Sequence, residues 1–199
     1  MSSYLRTGPL RGSEPEASAL IDATLNQAAH SGHGAAVTEA HWAAAVLYNG
    51  LGRYEQALAA AQQASSDPLD LYPSIWALPE LVEAAARRGQ PEIARKALER
   101  LVATTQPPGT DFRLGIEARS RALLSEGETA EHLYIEAIER LGRTRLRTEL
   151  ARAHLLYGEW LGSESRRFDA REQVRTAHDM FARIGMEAFS ERARISGPS

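Results

Sequence analysis

Apolar positions recur every three to four residues along most of this chain, in blocks separated by short breaks that hold glycine, proline or serine. That period puts the apolar residues of each block on one face of a helix. The first block, Glu14 to Ser31, carries Ala17, Leu20, Ile21, Leu25 and Ala28 on one face. Ser13 and Glu16 fit a capping box at its start, and Gly32-His33-Gly34 ends it. Val37 to Gly50 is the second predicted helix and Tyr54 to Ser65 the third, with a turn at Leu51-Gly52-Arg53 between them. Pro73 to Arg88 is the fourth block. Pro79 lies inside it and lacks a backbone donor, so the regular helix is expected to begin near Ala77 with Pro79 in its first turn. Pro91 suits the first turn of the fifth helix, which runs to about Thr104. Gln106-Pro107-Pro108-Gly109 is the strongest break in the chain. Asp111 to Ser125 and Glu128 to Leu141 follow. Arg145 to Gly185 then reads as two helices split at Gly162-Ser163-Glu164-Ser165, and Glu187 to Arg194 as a short last one. Alternating runs of Val, Ile and Thr are missing, so the class is all-α. Residues 1–13 read as a weakly ordered lead-in, 14–195 as a single domain and 196–199 as a tail.

The small residues repeat at a longer period. Ala57, Ala94, Ala130 and Ala170 fall in one column, 37, 36 and 40 residues apart. Twelve residues before each stand Ala45, Val82, Ala118 and Gly158; seven residues after each stand Ala64, Leu101, Ala137 and Ala177. Two helices approach closely only where the facing side chains are small. Such columns let a helix pair nest, and let neighbouring pairs stack on a continuous core. The spacing resembles the tetratricopeptide repeat. Its best copy is residues 41–68, where Ala45, Tyr48, Gly52, Tyr54, Ala57, Ala64 and Pro68 resemble the motif. In the third copy Arg121 stands where an apolar or aromatic residue is usual. The implied fold is a right-handed superhelical array of antiparallel helix pairs, a tetratricopeptide-like α-solenoid of about four and a half repeats.

The stretches HWAAAVLYNGLGRYEQALAAA, SIWALPELVEAAARRGQPEIA, GIEARSRALLSEG and ELARAHLLYGEWL also resemble the repeat region of large LuxR-type transcriptional regulators. The resemblance covers roughly residues 14–194 and implies an effector-sensing or protein-interaction module. In that family an ATPase precedes the region and a DNA-reading helix-turn-helix follows it. Neither is written here: no Gly-x-x-x-x-Gly-Lys-Ser/Thr phosphate loop occurs, and no helix-turn-helix follows Ile184-Gly185-Met186. The chain is therefore expected to be a fragment, touching DNA only through a module it does not contain.

Composition narrows the chemistry. There are no cysteines, which excludes disulfides, cysteine zinc sites and a cysteine nucleophile. Net charge is -3, and Lys96 is the only lysine beside many arginines; the balance argues against a nucleic-acid-binding domain. No run approaches a membrane span and the first residues lack a signal-peptide core, so a cytoplasmic, soluble protein is the expectation. No cofactor motif, metal-ligand set or nucleophile turn is present, and the chain is expected not to be an enzyme. His30 and His33 read as loop residues, and His41 and His154 share one column, which points to packing. His132 and His178 have no partner in sequence. The basic run Arg140, Arg143, Arg145 and Arg147 reads as the exposed end of a helix pair.

In tetratricopeptide arrays the first helix of each pair lines the concave face. Carried across, the inward positions are Glu39, Trp42 and Asn49; Trp76, Glu83 and Arg87; Phe112 and Arg119; Arg152 and Glu159. Aromatic anchors beside arginines suit a protein segment or a small-molecule effector. Trp42, Trp76 and Phe112 are expected on one concave surface, roughly 10 Å apart per helix layer, with Arg87, Arg119 and Arg152 at its rim. The alternative is that the aromatics pack between repeats and the charges are solvated. Tyr48, Tyr134 and Tyr157 are assigned to the core. An incomplete first repeat would bare an apolar face, so a homodimer through that end is expected. Two functions remain open: a sensing module of a LuxR-type regulator, and a stand-alone scaffold that binds a protein segment.

Overall fold

The computed structural model describes residues 34–66, 71–104 and 109–197, together with Pro15, Ser18, Ala19, Ile21 and Ala23. All regular structure among the described residues is helical. From residue 34 the helices are α1 (Gly34–Gly50), α2 (Tyr54–Ala64), α3 (Leu71–Arg87), α4 (Pro91–Thr104), α5 (Asp111–Ala122), α6 (Gly127–Gly142), α7 (Arg147–Ser163), α8 (Arg167–Ile184) and α9 (Glu187–Ser196). They pack as consecutive pairs, α1 on α2, α3 on α4, α5 on α6 and α7 on α8, with α9 against α8. This is the architecture of an α-solenoid.

The small columns explain the pairing. Ala57, Ala94, Ala130 and Ala170 are each fully buried, as are Ala45, Val82, Ala64, Ala137 and Ala177. Ala118 and Leu101 are nearly so. Gly158 completes the set at the tightest crossing: a Cβ there would lie 2.6 Å from Val174 Cγ2 and 3.1 Å from the Val174 backbone nitrogen. Only hydrogen fits where α7 meets α8.

The turn inside a pair also repeats. After α1 the Arg53 amide donates to the Tyr48 carbonyl and Gly52 to Asn49; after α3, Gln90 donates to Ala85 and Gly89 to Ala86. After α7, Arg166 donates to Leu161 and Ser165 to Gly162. Each is a paired closure of the last helical turn through one left-handed residue. Gly52 and Gly89 take that conformation freely; Ser165, at φ 63°, is the one non-glycine residue with positive φ among the described residues.

Three boundaries differ by three residues or more from the sequence expectation. α1 begins at Gly34, not Val37. α3 begins at Leu71, not near Ala77, and Pro79 sits well inside it. The turns on both sides of Pro79 hold, because Ala77, Leu78, Leu81 and Val82 are all buried around it, and that packing offsets one lost backbone bond. α5 ends at Ala122, three residues short of Ser125, where the chain tightens into the turn before α6. The described positions of the first block are helical, and Ile21 is buried in the core; Ser13, Glu16 and Ala17 lie outside the described residues.

The core does more than join neighbours. Val46 of α1 shares an apolar cluster with Leu155 of α7, Phe181 of α8, and Met186 and Phe189 at the start of α9. The last elements of the array thus return to the first pair, and the inner helices close on each other.

Ala94 is in contact on every side, so Ala94→Leu should overpack the α3–α4 pair and lower stability by about 1–3 kcal/mol. Urea unfolding followed by helical circular dichroism measures it; a variant as stable as the parent would show that the column is not tightly packed.

Candidate functional site

The inner face is where the array closes. α3 brings Glu80, Glu83 and Arg87, three positions along one helix face. α7 brings Arg152 and Glu159, α1 brings Asn49, and α9 brings Arg192. Arg152 is the hub. It donates to Glu80 through both terminal nitrogens, the longer bond being 2.8 Å, and to Glu83 at 2.6 Å. Asn49 Nδ2 donates to Glu80 Oε2 at 2.9 Å and to the Glu80 carbonyl at 3.2 Å. Arg192 grips Glu159 with two parallel bonds of 2.8 Å, donates to Glu83 Oε1 at 2.7 Å, and reaches the Asn49 carbonyl at 2.9 Å. Arg87 closes the outer edge by donating to Glu159. Three carboxylates, Glu80, Glu83 and Glu159, therefore face three guanidinium groups, Arg87, Arg152 and Arg192.

The cluster is dry. Arg152 and Glu83 are 1% exposed, Glu80 3% and Arg192 8%. Burial alone would push the Glu83 carboxyl upward, but Arg152 and Arg192 outweigh it and hold the group well below the usual carboxylate range. Glu159 is likewise lowered: burial opposes, and Arg192 and Arg87 prevail. Arg152 is raised well above its ordinary value, because Glu80 and Glu83 outweigh the cost of burying it. Among the described residues two buried atoms, Asn49 Oδ1 and Arg152 Nε, have no protein partner. Aromatic rings wall the charges: the Arg152 guanidinium lies 5.1 Å from the Phe189 ring centre, and that of Arg192 5.5 Å from Tyr54.

This arrangement revises the expected groove. Asn49, Glu83, Arg119 and Arg152 are buried and bonded within the protein, not presented to a ligand. Arg119 turns toward α7, where its Nη1 meets Glu149 Oε2 at 2.6 Å; burial opposes ionisation of Glu149, and Arg119 and Arg152 lower it. Arg119 and Arg152 therefore do not rim an open surface. Arg87 and Glu159 remain at the edge, their side chains 30% and 11% exposed. Glu39 is exposed. The three aromatics do not share one surface either. Trp76 and Phe112 touch, with ring centres 4.9 Å apart in place of a layer spacing, while half-buried Trp42 packs on the cluster of Val46, Leu155 and Phe181. The physical reason is that side chains of adjacent repeats, and long ones two repeats apart such as Arg152 with Glu80 and Glu83, reach one another across the inner face.

Other assignments are settled more simply. Tyr134 and Tyr157 are buried and stack with Trp160, and Tyr48 packs on the core. Burial, aided by the hydrogen bond to Glu131, pushes the Tyr157 hydroxyl up to about 12. His41 and His154 are both half-buried, and burial lowers both; His154 bonds Gln173 at 2.7 Å. His178 meets Ser190 at 3.1 Å. Arg140 and Arg143 both pair with Asp111, whereas Arg145 and Arg147 are exposed. His30 and His33 lie outside the described residues. Among the described residues no cluster of His, Asp or Glu could hold a metal ion, and no helix is long and apolar enough to cross a membrane.

Glu80, Glu149, Phe189 and Arg192 are the functional-looking residues that sequence reasoning missed. One signal was present for Arg192: it shares a helix face with Met186, Phe189 and Ala193, so a charge stands on the buried stripe of α9. No family model, no curated protein and no solved structure matches the chain.

Removing one partner from such a cluster strands the others. Arg152→Ala should cost about 3–5 kcal/mol in urea unfolding, whereas Arg95→Ala, which removes an exposed pair with Glu92, should leave the midpoint unmoved. Equal midpoints for the two variants would deny the cluster its structural role. Acid provides a second check. Glu83, Glu149 and Glu159 have folded values below their unfolded ones, so their stabilisation is complete above roughly pH 4.3 and is lost as pH falls through the folded values. The urea midpoint should drop progressively below that pH; an unchanged midpoint at pH 3 would contradict the pairing.

Proposed function

We propose that the chain is a non-catalytic interaction or effector-sensing module of a LuxR-type transcriptional regulator. The supporting observation is a stacked helical array whose distant repeats are tied by ion pairs, Glu80 and Glu83 of α3 to Arg152 of α7. In an open solenoid a ligand affects only the repeat it touches and that repeat's neighbours. Here a change in the spacing of α3 and α7 must stretch charge-assisted bonds in a dry interior, so binding at one edge is felt across the array. A sensing module requires that property. The wording of residues 41–61, 74–94 and 149–161 supports the regulator context by resemblance.

The partner in this reading is a protein segment or a small effector, and contact with DNA falls to a module outside this sequence. The second reading, a stand-alone tetratricopeptide-like scaffold, is supported by the same array and needs no regulator around it.

Sequencing the gene on both sides separates the two: a phosphate-loop ATPase before this region and a helix-turn-helix after it support the regulator, and neither supports the scaffold. The purified chain should hydrolyse no ATP and show no sequence preference in a mobility-shift titration, since it has net charge -3 and no phosphate loop. Nanomolar, salt-resistant binding to one duplex would overturn both readings.

A further inference from the structure

α9 occupies the inner face in a way that defines a socket. It is a ten-residue helix held on its buried side by Met186, Phe189, Arg192 and Ala193 and by Ser196, which donates to Glu159; Phe189 and Arg192, one turn apart, are its largest buried side chains. Phe189 inserts beside Phe181, ring centres 5.1 Å apart, and against Gly50 of α1, where a Cβ would come within 2.7 Å of the ring. Arg192 enters a seat made by four groups from four places: the Glu159 carboxylate, the Glu83 carboxylate, the Asn49 carbonyl and the Tyr54 ring. Two parallel bonds to one carboxylate, a second carboxylate and a carbonyl match the planar fork of an arginine and do not match a lysine.

The seat is also built to survive its occupant's departure. Without Arg192, Glu83 keeps Arg152 and Glu159 keeps Arg87, so no buried carboxylate loses its last cation. The outward side of α9 is loosely held: Glu187, Glu191, Arg194 and Ile195 are exposed. Its joint with α8 is Gly185, at φ 83°, followed by Met186. Terminal elements with few buried side chains are the ones that open below the global unfolding free energy.

We infer that α9 is an internal stand-in for a partner helix, and that the inner face of the array receives an amphipathic helix carrying a phenylalanine and, three residues later, an arginine. The partner helix displaces α9, its guanidinium taking the place between Glu83 and Glu159 and its phenyl ring the place beside Phe181 and Gly50. Helix-in-groove recognition of this type uses anchors at i and i+3.

The probe is a fluorescein-labelled peptide spanning residues 185–197, GMEAFSERARISG, titrated into the full chain and read by anisotropy. The Arg192→Ala chain, whose own α9 has lost its anchor, should bind this peptide at least tenfold more tightly than the unaltered chain. The same peptide with the arginine at the position of Arg192 replaced by alanine, and that of Arg194 kept, should bind at least tenfold more weakly to that variant. An Arg192→Ala chain that keeps its helical circular dichroism and does not distinguish the two peptides would overturn the inference. Should that variant lose its helical signal, Arg192→Lys takes its place; it should keep the fold and show the same order of peptide affinities, and its failure to do so counts equally against the socket. Hydrogen exchange on the unaltered chain gives an independent reading. The slowest α9 amides should exchange at least tenfold faster than the slowest of α7, and equal protection would overturn the release of α9. Displacement of α9 presupposes an interaction module. Silent peptides beside a gene that encodes the ATPase and helix-turn-helix sink the socket alone, whereas specific peptide binding beside a gene that lacks both modules sinks the regulator and leaves the socket.

Discussion

Four charged side chains, Glu80, Glu83, Arg152 and Arg192, meet in the dry interior of this array with Glu159 and Arg87 at its edge, and its winding depends on their mutual compensation. Buried ion pairs seldom add net stability, because the cost of dehydrating each charge roughly cancels its attraction to the partner. Their contribution is geometric. Glu83 must meet Arg152 and Arg192 together, and Glu159 must meet Arg192 and Arg87, so α3, α7 and α9 have little freedom to slide. The Asn49 carbonyl adds α1 to the same set. Apolar packing alone would tolerate a range of curvatures.

The alanine columns make that closure reachable. A helix pair with a larger residue at Ala57 or Ala170 would stand further apart, and the error would accumulate through successive pairs. Gly158 shows how little space is left, since its missing Cβ would collide with Val174. Close nesting within pairs tightens the curve until α3 and α7, two repeats apart, touch through side chains. The buried charges are thus a consequence of the small columns as much as a feature of their own: inward positions that face solvent in a wide solenoid face one another in a narrow one.

That dependence explains which parts were legible in the sequence. The helices, their pairing and every one of the twelve column residues could be read from local periodicity and from small residues at fixed spacing, both of which are short-range signals. Which residues stand at the carried-over positions of the first helices was legible as well. Their environment was not, because it depends on curvature, and curvature sums small angles over four pairs. Glu83 and Arg152 are 69 residues apart, and nothing local to either marks the other as its partner. Pro79 failed for a related reason: the rule against interior proline is local, while the packing that overrides it is tertiary. Arg192 is the instructive case, since a charged residue on the apolar stripe of α9 is a local anomaly that points to a buried counter-ion.

In the proposed binding module, the closed inner face changes what an incoming segment has to do. In an open groove, affinity comes from new contacts, and the array needs only to bend. Here the carboxylates that α9 meets already hold its arginine, so an incoming segment must replace those bonds, and its net affinity is the difference between its contacts and those of α9. Such exchange makes selectivity steep. A partner lacking the arginine forfeits the paired bonds to Glu159 and the bond to Glu83, which then keep only Arg87 and Arg152, and a generic apolar helix has nothing to put in their place. Sequence-tolerant binding is thereby suppressed in an alanine- and leucine-rich array that would otherwise accept many amphipathic helices. The same buried charges that fix the curvature therefore also set the entry condition for whatever reaches the inner face.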